Sequence, residues 1–124
     1  MDPTIEDWLS RAEQELAGAD ESWRGGNAGR GRVGSRRAAG MAIVAWLTAE
    51  PQEGYGRNFM HHLNALADDE RFAAGVREAA WRLAARPAPG VGWRVEPPRP
   101  LTPMADAQLI GDFCRKRLAA LVTP

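Results

Sequence analysis

Apolar positions recur along most of this chain at intervals of three or four residues. Ile5, Trp8, Leu9, Ala12, Leu16, Ala19 and Trp23 form one such series. They predict an amphipathic helix from Pro3 to about Trp23 with a single buried stripe. Asp2 before Pro3 reads as a cap followed by proline at the first helical position, and Thr4 with Asp7 offers an alternative capping box. Arg24 to Gly34 carries five glycines and three arginines and reads as a connector into a second helix that runs to about Ala49. From Ala38 to Ala49 only Gly40 and Thr48 interrupt the small and apolar residues. A helix apolar nearly all round belongs in the middle of a bundle.

Pro51 to Gly56 breaks the chain. A third helix is predicted from Arg57 or Asn58 to Asp68–Asp69, with Phe59, Leu63, Leu66 and Ala67 inward. A fourth runs from about Phe72 to Ala85 on Val76, Ala80 and Leu83. Arg86 to Pro103 then holds six prolines and two glycines, which no helix survives. Val91, Trp93 and Val95 alternate there, as an extended strip with one apolar edge would require. Thr102–Pro103 starts the last helix, which runs to about Leu121 with Leu109, Ile110, Phe113 and Leu118 inward. The expected fold class is therefore all-α: an up-down helical bundle of four to five helices with a Pro-rich extended segment before the last helix. Residues 1–124 form a single domain.

Composition narrows the function classes. Sixteen basic residues balance sixteen acidic ones, which argues against a globally basic nucleic-acid binder but permits a local patch. Cys114 is alone, so neither a disulfide framework nor a cysteine-based metal cluster is expected. The two adjacent histidines and scattered acids lack the spacing of a zinc site, and no cofactor is expected. The longest apolar stretch, Ala38 to Leu47, is far short of the ~20 residues a membrane span needs. Acids stand near the N-terminus where a signal peptide would have bases, so a cytoplasmic protein is the expectation.

Three groups of residues bear on chemistry. Gly29, Gly31 and Gly34 spell G-x-G-x-x-G, but a helix and not a strand precedes them, so a dinucleotide site lacks its context. Arg24, Arg30, Arg32, Arg36 and Arg37 fall in a stretch from Ser22 to Ala49 that has no acid, after a first helix rich in acids. Arg30, Arg32, Arg36 and Arg37 could track phosphates of a nucleotide or RNA, or pair with the acidic helix of the same or a second chain. The third group is Arg57, Asn58 and His62. Histidine moves protons near neutral pH and a guanidinium steadies phosphate charge, which is a kit for cleaving RNA through its own 2′-hydroxyl. An ideal helix sets residues five apart about 140° from each other, so one helix alone would not converge Arg57 and His62. His62 also lies beside Phe59 and Leu66 on the buried stripe, where a packed histidine bonded to a backbone carbonyl is the alternative.

The order of these pieces resembles the HEPN superfamily, small all-α domains of prokaryotes. "WLSRAEQELAGAD" (Trp8 to Asp20) is similar to its first helix, and "RRAAGMAIVAWL" (Arg36 to Leu47) to its Ala-rich second helix. "HHLNALA" (His61 to Ala67) resembles a stretch of its third. The resemblance implies an interaction or nucleotide/RNA-associated module without catalysis, working as a homodimer or with a protein partner. It implies alternatively a metal-independent ribonuclease, a toxin component of a bacterial system. There the catalytic motif is arginine, a polar residue and a histidine four to six positions on, and two subunits face a shared cleft. Arg57, Asn58 and His62 match that motif in letters.

Overall fold

A computed structural model describes residues 1–85 and 102–122. Five helices follow in order: α1 Pro3–Arg24, α2 Ala28–Ala49, α3 Phe59–Asp68, α4 Ala74–Leu83 and α5 Pro103–Val122. No strand occurs among the described residues. The all-α bundle expected from the hydrophobic pattern is what the chain forms. The alternating Val91, Trp93 and Val95 lie outside the described residues.

Four of the five helix starts carry a side-chain cap; α4, which begins after Ala73, does not. Asp2 accepts from the Thr4 N–H at 2.7 Å with Pro3 behind it. Asn27 accepts from the Arg30 N–H at 3.1 Å, and Asn58 from the His61 N–H at 2.9 Å. Thr102 Oγ1 accepts from the Ala105 N–H at 3.1 Å ahead of α5. These bonds satisfy donors that a helix start leaves open. At the other end of α4, Ala85 takes a left-handed φ of 56°, the conformation in which helices commonly stop.

The expected connector from Arg24 to Gly34 is corrected. Only residues 25–27 lie between α1 and α2, with Gly26 at φ 90° making the turn. Gly29, Gly31 and Gly34 are inside α2. A Cβ on Gly31 would meet the Trp23 side chain at 3.0 Å, and one on Gly34 would meet the Ala19 Cβ at 2.8 Å. Two of these glycines therefore let α1 approach, and the three-glycine spelling has no phosphate-loop geometry. The fourth helix is also shorter than its expected span from Phe72 to Ala85.

Pairings fix the topology. Gly31 lies by Trp23, Gly34 by Ala19, and Arg37 reaches Glu15, so α1 and α2 run antiparallel. Trp46 packs on Phe113 and Glu50 meets Arg117, so α5 follows α2 in the same direction. Arg82 pairs with Asp106 while Phe72 packs on Phe113, so α4 runs against α5. The up-down order expected holds for α1 with α2 and for α4 with α5 but not for the neighbours α2 and α5, and α2 touches every other helix. Its Ala39, Ile43, Ala45 and Trp46 are completely buried, as a helix apolar nearly all round should be. No helix among the described residues is long and apolar enough to cross a membrane.

The loop between α2 and α3 is tied down by Tyr55. Its ring packs edge-on against Trp46 with centroids 5.5 Å apart, and its hydroxyl donates to Asp69 at 2.7 Å. Hydrogen bonds from Arg71, then the one from Tyr55, hold the Asp69 carboxyl down to about 2. Burial, then the bond to Asp69, pushes the Tyr55 phenol well above its ordinary value of 10.0. The unfolded chain thus releases this proton before the folded one does. The phenol's contribution to stability is complete below about pH 10 and is lost as pH rises above that. Tyr55 is the chain's one tyrosine, so ultraviolet difference absorbance follows it directly. The expected result is a titration delayed past pH 10.0 until the protein unfolds, with less alkaline loss of stability in Tyr55→Phe than in wild type. An ordinary titration in the folded protein would contradict the bond.

Candidate functional site

Arg57, Asn58 and His62 surround the start of α3, but they do not converge. Arg57 is exposed and has no ion-pair partner among the described residues. Asn58 is the N-cap of α3, and its amide also lies 3.3 Å from His61 Nδ1. His62 is 5% exposed and flanked by the buried Leu63 and Leu66. Its Nδ1 lies 2.7 Å from the Tyr55 carbonyl oxygen. A carbonyl only accepts, so Nδ1 carries the proton and donates it there. Within one chain His62 thus has the packed role that the sequence left open. It fastens the α2–α3 loop to α3.

The arginine run is dispersed by the helix that carries it. Arg37 turns toward α1 and pairs with Glu15 at 2.8 Å. Arg24 pairs with Asp20 at 3.0 Å within α1. Arg30 is exposed in the first turn of α2. Arg32 and Arg36, four apart and so on one face of α2, line a cleft with Arg82 from α4. Part of the run does pair with the acidic first helix, and part does not.

Arg82 and Asp106 form the best-buried ion pair of the described residues. Asp106 is 3% exposed, and the Arg82 Nε and Nη2 donate to its two oxygens at 3.0 and 2.8 Å. Sequence reasoning missed both residues, because no periodicity links an arginine near the end of one helix to an acid in the first turn of another. At the opposite end, Glu50 accepts from Arg117 at 2.6 Å and from the Trp46 indole at 2.9 Å. The Arg117 bond, then the Trp46 bond, holds the Glu50 carboxyl below its usual range.

A concavity of about 630 Å³ lies between α1 and α5 over α2. Its floor is Ala38 and Ala42, and its walls include Ala12, Leu16, Ala107 and Gly111. Arg115 reaches across it to Glu13 at 3.1 Å. No histidine, serine or cysteine lines it. Cys114 is fully buried, and burial pushes its thiol up, so it is inert as a nucleophile. Among the described residues no group of three or more histidines, cysteines or acids is placed to hold a metal. Among the described residues the geometry offers concave surfaces and brings together no nucleophile, base and charge-stabilising group. Neither a family model nor a curated protein nor a solved structure matches the chain.

Proposed function

We propose that this chain is a HEPN-like helical module that acts by binding a protein, nucleotide or RNA partner in the cytoplasm, without catalysis. The observation that carries the reading is the state of His62. His62, the histidine matched to the motif with Arg57 and Asn58, is sealed in the interior, with a ring nitrogen bound to a backbone carbonyl. A general acid/base must reach the proton it transfers, and this one is turned inward. Pairing of two copies belongs to the same reading. Val33, Leu121 and Val122 are exposed apolar positions available for it.

The test is to incubate purified protein with RNA, without metal, and to examine His62→Ala in parallel. The expected result is intact RNA, with no cyclic phosphate ends. His62→Ala should lower the unfolding free energy by about 1–3 kcal/mol, since it leaves a buried carbonyl without its donor. Cleavage by the wild type that vanishes in a folded His62→Ala variant would overturn the reading in favour of the ribonuclease alternative.

A further inference from the structure

Between α2, the end of α4 and the start of α5 lies a cleft of about 180 Å³. Three guanidinium groups line it, from Arg32, Arg36 and Arg82. Asp106 is the one carboxylate among the described residues on its wall, and Arg82 engages both of its oxygens. Glu78 stands outside, 3.8 Å from Arg82. The acids are therefore directed at Arg82. Arg32 and Arg36 have no carboxylate within ion-pair distance among the described residues.

Arg36 is the telling residue. It is partly buried, and its Nε donates to the Leu83 carbonyl at 2.7 Å. That bond fixes the direction of the guanidinium without neutralising it. Buried charges are normally paired, because loss of water disfavours the bare ion. Arg32, its guanidinium carbon 5.7 Å from the centroid of the Trp23 ring, adds like charge on the same helix face. An anion between them would relieve both desolvation and mutual repulsion. Guanidinium forks match the oxygens of a phosphate, each fork donating two parallel N–H···O hydrogen bonds. Thr102 and Pro103, at the start of α5, form the opposite wall. The dipole of α5 adds positive potential there, a secondary term beside the guanidinium charges.

The cleft, about 180 Å³ and open to solvent, has room for a phosphate group. We propose that this cleft binds a terminal phosphate, free or at the 5′ end of a nucleotide, gripped by Arg32 and Arg36. The proposal rests on the binding-module reading and names a ligand class for it.

Calorimetric titration of the full chain at low salt with inorganic phosphate, adenosine 5′-monophosphate and adenosine tests it. Phosphate and the monophosphate should bind, and adenosine should not. Tighter binding of the monophosphate than of phosphate supports a nucleotide end as the source; equal binding supports free phosphate. Arg36→Gln should weaken binding at least about tenfold, the scale of one lost charge-assisted hydrogen bond. Arg32→Gln, at an exposed position, should fold normally and weaken it comparably. Arg24→Gln removes the same charge outside the cleft and should leave affinity unchanged. No binding of either phosphate compound, or equal weakening by Arg24→Gln, defeats the proposal. Phosphate binding that fails while RNA stays intact removes only this inference. RNA cleavage lost in His62→Ala removes the binding-module reading and leaves the phosphate affinity standing.

Discussion

Trp46→Ala is expected to cost the protein more stability than any other single truncation of its core. The side chain is 0% exposed and stands at the meeting point of three rings. Tyr55, Phe72 and Phe113 present themselves edge-on to it, with centroids 5.5, 5.7 and 5.5 Å away. Removing a buried tryptophan side chain costs about 3–5 kcal/mol in lost burial and residual cavity. Each edge-to-face pair adds about 0.5–1.5 kcal/mol beyond area. The indole N–H also leaves Glu50, whose carboxylate then depends on Arg117 alone. Domains of this size are stable by about 5–15 kcal/mol, so a loss near 5 kcal/mol removes a third or more of the total. Calorimetry should show the unfolding midpoint lowered by about 15 °C. Trp23→Ala is the comparison, since Trp23 is only partly buried at the end of α1. Equal losses in the two variants would mean that the core is not centred on Trp46.

The central place of α2, which carries Trp46, was legible in the sequence, as were the buried faces of the helices around it, and the reason is the hydrophobic pattern. Ile5, Ala12 and Ala19 on α1, Leu63, Leu66 and Ala67 on α3, and Ile110 and Leu118 on α5 are buried where spacing put them. The all-apolar character of α2 placed it in the middle. Periodicity assigns a face to a residue but not a neighbour. Arg32 and Arg36 share a face by their spacing, yet only the packing of α4 and α5 brings Arg82 and Asp106 opposite them. Arg37, one position further, turns about 100° and meets Glu15 instead. A packed His62 bonded to a backbone carbonyl was one of two readings open in the sequence; which carbonyl was not legible, because Tyr55 offers it from a loop with no side-chain signature. The glycines of α2 misled for a related reason. Glycine signals a turn when read alone and a close helix contact when a bulky partner faces it. The partner is not in the local sequence.

That distinction makes opposite predictions for two glycines inside helices. Gly18 lies within α1, and a Cβ added there meets nothing within 4 Å. Gly18→Ala should therefore stabilise the protein by about 0.5–1 kcal/mol through helix propensity and a less free unfolded chain. Gly40 lies within α2, and its Cβ would fall 2.6 Å from the Phe59 Cβ, overlapping the ring as well. Phe59 is the first residue of α3, held by the Asn58 cap on one side and by the packed His62 turn on the other. Its Cβ cannot swing away as the end of a flexible chain could, so α3 must shift. Overpacking costs about 1–3 kcal/mol, and the upper end applies to a contact with a side-chain root. Less the ~1 kcal/mol that alanine gains in a helix, Gly40→Ala should lose about 2 kcal/mol net. Urea midpoints of the two variants should move in opposite directions from wild type. Gly40→Ala should also speed hydrogen exchange at the His62 amide, which bonds to the Asn58 carbonyl at 2.9 Å. If Gly40→Ala stabilises as Gly18→Ala does, Phe59 is not wedged against α2, and the start of α3 is held by its cap and by His62 alone.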